Sequence, residues 1–205
     1  MDYYSNNTFG IDPSQIYIGG YSAGAIVADH VGHFNDISLA PPYLTSIVNN
    51  IGGLEGNSGN PGYSSEVKGV INIAGAIAST IHIDPNDVPI VSVQALDDGT
   101  VPYYCDHALL QSYMLTCCGA GPIHNAADNV GVYNALHTFQ SGGHAAPVTA
   151  MSSITIPFIS DFIYTTLDCY QSPSMIIDSN YEAVVYPNPA TELVNIKHEE
   201  KIGLR

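Results

Sequence analysis

The segment Gly20-Tyr21-Ser22-Ala23-Gly24 constrains the fold of this chain more than any other. It stands between Ile16-Tyr17-Ile18, a β-prone run, and Ala25 to Val31, whose apolar residues recur at helical spacing. A strand that turns sharply into a helix tolerates only small residues two positions before and two after the serine. It also holds that serine in a strained backbone conformation. G-x-S-x-G alone is a weak pattern, and a glycine-rich turn with an incidental serine would satisfy it. Its placement between a strand signal and a helix signal favours a nucleophile elbow at Ser22, with Gly20, Tyr21 and Gly24 as its frame.

Further along, residues 35–66 are rich in Gly, Asn, Pro and Ser and read as a long irregular excursion. Val67 to Ile77 and Val88 to Leu96 are nearly continuous in apolar character, as buried parallel strands are. Ala108 to Leu115 reads as a helix, Asn134 to Gln140 as a strand, and Val148 to Leu167 as a long apolar helix. Strands and helices in alternation predict an α/β architecture with a mostly parallel sheet and flanking helices. After Tyr170 the pattern breaks. Residues 171–182 read as a linker, and Leu193 to Lys197 alternates like a strand in a short second element over 183–205. The longest apolar stretch, Val67 to Ile83, is interrupted by Lys68, Asn72 and His82 and is too short to span a membrane.

Charge narrows the function classes. Charged residues are 11% of the 205 residues, against roughly 25% in an average soluble domain. Lys197, Lys201 and Arg205 lie at the end, which leaves Lys68 as the one cation of residues 1–196. Phosphate contacts need clustered Lys and Arg, so nucleic-acid binding is excluded over that span. A GxxxxGK[ST] nucleotide loop is absent as well. What remains favours chemistry on uncharged substrates, without a cofactor.

An acid and a base complete the nucleophile. Asp97-Asp98-Gly99-Thr100-Val101-Pro102 follows the apolar run 88–96, with Asp98 the expected acid and Asp97 its substitute. Elsewhere an Asp-Gly pair is simply a turn. Ser141-Gly142-Gly143-His144 supplies the base, because two glycines free the loop to bring the imidazole inward. His137 falls inside the predicted strand and reads as a packed or surface side chain. His30 and His33 are three apart on the helix after the elbow, but catalytic zinc wants three protein ligands, so no metal site is expected. His82, His107, His124 and His198 form no constellation. Cys117 and Cys118 are neighbours, so bridges are expected to join each of them to Cys105 or Cys169, as in an exported protein.

The order Ser22, Asp98, His144 is the α/β-hydrolase order. With the Gly-Tyr-Ser-Ala-Gly elbow and the Asp98-Gly-Thr-Val-Pro-Tyr103 acid loop, residues from about 10 to 165 resemble the C-terminal half of an α/β-hydrolase of the carboxylesterase/lipase type. The resemblance implies a small neutral ester as substrate and the Ala23 N–H as an oxyanion donor. A prolyl-oligopeptidase-type serine peptidase shares the fold and order. That group tends to carry a second glycine after the elbow, where this chain has Ala25. A non-catalytic scaffold is the third reading. Val185-Tyr-Pro-Asn-Pro-Ala-Thr191 with Leu193-Val-Asn-Ile-Lys197 is similar to the start of a type IX secretion sorting domain. That implies export through the secretion machinery to the cell surface or medium of a Gram-negative bacterium. The hydrolase family has about four strands before the elbow, and one of their loops gives a second oxyanion donor. Only some fifteen residues precede the elbow strand here, so the chain is expected to be a piece truncated at both ends, with its N-terminal strands missing and feeble activity alone.

Overall fold

A computed structural model describes residues 12–57 and 64–167, together with the backbone of 183–186 and 195–198. The chain divides into two compact units, Met1–Leu167 and Asp168–Arg205. Cys169, the 171–182 linker and the Pro-Asn-Pro motif lie outside the described residues. In the second unit, β7 (Ala183–Tyr186) pairs antiparallel with β8 (Asn195–His198).

The first unit is an α/β layer structure. Four strands, β1 (Tyr17–Tyr21), β2 (Gly69–Ile73), β3 (Ile90–Ala95) and β6 (Asn134–Phe139), form one parallel sheet in chain order. The register runs Tyr21↔Ile73, Ile73↔Val93 and Ala95↔Phe139. Because neighbours are parallel, each connection must return the chain to the opposite end of the sheet. Helix α1 (Ala23–His33) makes that return after β1, and α3 (Ala120–Val130) makes it before β6. Every strand therefore ends at the same edge of the sheet, where ligands bind in such folds.

β3 is buried at all six positions, which explains its continuous apolar character. Its Ile90 belongs to a buried apolar cluster with Ala28 of α1, Ile123 and Ala127 of α3, and Val70, Ile77 and Ile83. One polar chain crosses this layer: Asn72 donates from Nδ2 to Asp29 Oδ2 at 2.9 Å, and its Oδ1 accepts the Gly75 N–H at 2.7 Å. The link ties α1 to the turn that follows β2.

Several expected elements differ from the observed ones. Strand β2 stops at Ile73 rather than 77, because Ala74 takes a positive φ of 52°. The excursion 35–66 contains a helix, α2 (Pro42–Asn50), which Pro42 starts at its first turn. Residues 108–115 are not a helix. They lie in a hairpin between β4 (Cys105–His107) and β5 (Thr116–Cys118), closed by the Cys105–Cys118 disulfide, with Leu109 and Leu110 at positive φ. Local propensity lost there to a covalent clamp. Cys118 thus takes Cys105, and Cys117 is, among the described residues, a free, half-buried thiol rather than a partner of Cys105. The predicted helix 148–167 is broken into α4 (Ala146–Thr149), a π-helical turn Met151–Thr155 and α5 (Ile156–Thr166), with a 64° bend. Pro157 has no N–H to continue the ladder, and Thr155 caps the break by donating Oγ1 to the Pro147 carbonyl at 2.7 Å. Among the described residues no single helix is long and apolar enough to cross a membrane.

Two buried histidines sit in this layer. His33 donates from Nδ1 to the Asp29 carbonyl, and His124 from Nδ1 to Asn134 Oδ1 at 2.7 Å. Burial pushes both imidazoles down, His124 to about 4, while Asn134 and Asp128 oppose the shift. A folded pKa below the unfolded value near 6.5 gives stability that is complete above pH 6.5 and lost as pH falls to about 4. For His124 that loss is about 3 kcal/mol. Burial raises Asp87 to about 7 and Asp29 well above the usual carboxylate range, and both act in the opposite sense over the same window. Opposed contributions share the window, so the test is a difference. The stability cost of His124→Gln in urea unfolding is expected to shrink by about 3 kcal/mol between pH 7 and pH 4; a cost independent of pH would refute the assignment.

Candidate active site

Ser22 sits between β1 and α1 with φ 57° and ψ −121°, the strained turn expected of an elbow. Its N–H donates to the Ile73 carbonyl of β2 at 2.9 Å, and its carbonyl accepts the Ile26 N–H at 3.0 Å. The space rule holds for one glycine only. A Cβ on Gly20 would lie 2.3 Å from the carbonyl carbon of Gly24, whereas a Cβ on Gly24 would meet nothing within 4 Å. The crowding is between strand and helix backbones, so the residue on the strand side must be glycine. Ala23 is the first residue of α1, where helix geometry gives its N–H no intrahelical acceptor.

Asp98 leaves the end of β3 and is 4% exposed. Its Oδ1 accepts the N–H groups of Thr100 at 2.9 Å and Val101 at 3.0 Å. Buried Gln94 of β3 fixes the same loop, donating to the Val101 carbonyl at 2.9 Å and accepting the Ala120 N–H at 2.8 Å. The acid loop, β3 and the start of α3 are thus joined by one side chain.

His144 has the longest reach. It follows β6, three strands from β1, and strands in a sheet are about 4.8 Å apart. The loop doubles back through Gly142 (φ 114°) and Gly143 (φ 61°), conformations that side chains with a Cβ rarely adopt. Asp97 secures the reversal: its carboxylate accepts the Gly143 N–H at 2.8 Å and the Gly142 N–H at 3.1 Å. These backbone donors hold the Asp97 carboxyl below the usual range.

The three side chains meet. His144 donates from Nδ1 to Asp98 Oδ2 at 2.8 Å, and its Nε2 accepts from Ser22 Oγ at 2.8 Å. Asp98, not Asp97, contacts the imidazole. Tyr21 lies beside them, its hydroxyl donating to the His144 carbonyl at 3.1 Å and its ring centred 5.0 Å from the imidazole at 31°. Such an array suits proton transfer from a hydroxyl to an imidazole whose other nitrogen is fixed by a carboxylate.

Other sequence-level candidates are engaged elsewhere. His30 donates from Nδ1 to the Ile26 carbonyl and accepts the Ala78 N–H at Nε2, and His137 stands between the rings of Phe139 and Phe158. His82 packs edge-on against Phe34, and His107 bonds the Met114 carbonyl within the hairpin. The side chain of His198 lies outside the described residues. Among the described residues no three ligands group as a metal site. Sequence reasoning missed Gln94, the contact of Tyr21 with His144, and the loop-holding position of Asp97. A signal existed for Gln94, since Ser92 and Gln94 are polar at alternate positions of an otherwise apolar strand.

No protein-family model matches the sequence, and no curated protein does. Solved structures do resemble the fold. A truncated form of a carbohydrate esterase from gut microbiota aligns with a TM-score of 0.56 at 19% identity, over 77% of this chain and 61% of that one. Est2, a thermophilic esterase of the planctomycete Thermogutta terrifontis with propionate bound, gives 0.53 at 16%, over 80% and 60%. A bifunctional GH43-CE protein of Bacteroides eggerthii gives 0.52 at 21%, over 72% and 21%. The chain thus spans about three-fifths of the first two proteins and a fifth of the third. What these likenesses establish is the fold: the chain has the hydrolase-like α/β architecture of known esterases.

Proposed function

We propose that the chain is the catalytic segment of a serine hydrolase acting on small neutral carboxylic esters. The observation that carries this is the continuous hydrogen-bonded series Ser22 Oγ, His144 and Asp98, at 2.8 Å for each link. That a carbohydrate esterase and a thermophilic esterase share this fold adds support. Ser22 Oγ attacks the ester carbonyl carbon as its proton passes to His144 Nε2. The tetrahedral intermediate collapses with loss of the alcohol, to which His144 returns the proton, leaving an acyl group on Ser22. Water, deprotonated by His144, then releases the acid and restores Ser22. Asp98 keeps Nδ1 protonated and stabilises the imidazolium. The Ala23 N–H is assigned to the oxyanion, and one such donor is worth about 10²–10³ in kcat.

Residues 1–170 would form the hydrolase domain and 171–182 a linker. Residues 183–205 would begin a type IX sorting domain that delivers the enzyme to the cell surface or medium. The Cys105–Cys118 disulfide fits such an oxidising destination. Deleting 183–205 is expected to retain the chain inside a type IX-secreting host, and surface delivery without that segment would overturn the assignment.

A serine-directed fluorophosphonate is expected to label Ser22, with slow turnover of p-nitrophenyl acetate and none of a proline-containing peptide amide. Ser22→Ala abolishes the label, and His144→Ala slows it by about 10³-fold or more. Labelling that survives Ser22→Ala, or peptide cleavage exceeding ester cleavage, would reject an esterase centred on Ser22. Asp97→Ala is expected to slow labelling roughly tenfold, since the loop loses both N–H bonds that aim His144. A wild-type labelling rate in that variant would show that the glycine loop holds its shape unaided.

A further inference from the structure

Tyr21 is one of the two variable residues of the elbow, and its side chain does something that the elbow does not require. It leaves the last position of β1 on the opposite side of the sheet from Gly20 and reaches His144, 123 residues away in sequence. Two separate contacts join them. The hydroxyl donates to the His144 carbonyl at 3.1 Å, which fixes the backbone of a residue that follows two positive-φ glycines. The ring lies tilted over the imidazole, centroids 5.0 Å apart at 31°. Tyr21 is 39% exposed, so it walls the imidazole on one side and meets solvent on the other.

The groups facing His144 are Asp98 from the acid loop, Ser22 from the elbow and Tyr21 from β1, with Asp97 holding the loop backbone behind it. Three of these fix the plane and height of the ring at its nitrogens or its backbone. Among the described residues, Tyr21 is the aromatic ring that covers a face of the imidazole. An aromatic face carries a negative quadrupole and attracts a cation more than a neutral ring. During ester cleavage His144 takes the proton of Ser22 as the tetrahedral intermediate forms and so becomes an imidazolium. A contact that strengthens with that charge favours the transition state over the ground state and so acts on kcat rather than on substrate binding.

We infer that Tyr21 is a positioning residue for His144, which aims the imidazole through the carbonyl bond and stabilises its protonated form through the ring face. This rests on the serine-hydrolase reading of Ser22 and His144. Removing the ring face is worth about two- to fivefold in rate, and removing the hydroxyl bond a similar factor.

The experiment compares wild type, Tyr21→Phe and Tyr21→Leu in the full chain. It measures the fluorophosphonate inactivation rate and half-saturation, and the downfield NMR resonance of the proton shared by His144 Nδ1 and Asp98. Tyr21→Leu is expected to lower the limiting inactivation rate roughly 5- to 30-fold with half-saturation unchanged, and to broaden the shared proton as the ring loses its wall. Tyr21→Phe should recover most of the rate, to within about two- to fivefold of wild type. A Leu variant with the wild-type rate and an unchanged resonance overturns the proposal while leaving the esterase reading intact. A wild type that is never labelled, but whose shared proton broadens in the Leu variant, sinks the esterase reading while the positioning of His144 stands. Equal losses in the Phe and Leu variants would assign the whole effect to the hydroxyl and reject the ring-face contribution.

Discussion

The close approach of β1 to α1 at Gly20 is the constraint on which the rest of the first unit depends. Backbone meets backbone there: a Cβ on Gly20 would lie 2.3 Å from the Gly24 carbonyl carbon and 2.7 Å from the Ala25 nitrogen. No side-chain rearrangement relieves a clash of that kind. The approach forces Ser22 to φ 57°, aims its N–H at the Ile73 carbonyl of the neighbouring strand, and sets the line along which α1 leaves the sheet. Helix α1 then carries Asp29 to Asn72 and presses Ala25 against the turn at Gly75, where an added Cβ would lie 2.4 Å from the Ala25 methyl. Strain at one residue is thus held by contacts from two strands and a helix, the condition under which such strain persists.

A second constraint is the scarcity of cations. Fourteen of the nineteen acidic residues fall within 1–170, where Lys68 is the single Lys or Arg. Carboxylates on these loops are satisfied largely by backbone N–H groups. Asp36 accepts from Ser38, Asp84 from Asn86, Asp98 from Thr100 and Val101, and Asp97 from Gly142 and Gly143. Each bond is local to a turn except those of Asp97, which join loops from two different strands. Charge-assisted bonds to backbone amides are short and directional. Acidic side chains here organise loops, and the site inherits that order: one carboxylate fixes the imidazole and its neighbour in sequence fixes the loop that bears it.

What the sequence made legible follows from the range of the physics involved. The elbow is local sterics over five residues and can be read directly. Strands β2, β3 and β6 are apolar runs, and only their ends needed the structure, as at Ala74 where a positive φ stops β2. Asp98 was expected ahead of Asp97 with no local feature to separate them, and what separates them is the cross-sheet contact of Asp98 with His144. The hairpin 105–118 was not legible, because Ala108 to Leu115 has helical composition that the Cys105–Cys118 cross-link and the pairing of β4 with β5 override. Helix α3 was passed over although Pro122 lies in its first turn and Gly131 ends it at φ 79°, the usual asymmetry of helix ends. The contact of Tyr21 with His144 spans 123 residues, and no local pattern encodes it.

The site spans the whole width of the sheet, and this makes its geometry more fragile than its core. Ser22 leaves β1 and His144 leaves β6, the two outer strands among the described residues, while β2 and β3 between them hold the most buried positions. Outer strands open at lower free energy than buried ones, so local opening at either side separates serine from imidazole before the core is lost. A slip of one residue along a strand moves its end by about 3.3 Å, more than the 2.8 Å bond between Ser22 and His144. The tethers that matter most are therefore those that cross strands at the site end: Ser22 N–H to Ile73, Gln94 between the acid loop and α3, Asp97 to the glycine loop, and Tyr21 from the first strand to the residue that follows the last. Taken together they convert two outer strands into a single platform. The alignment of a nucleophile and a base 122 residues apart then becomes a property of loops stitched across the sheet end rather than of the buried centre.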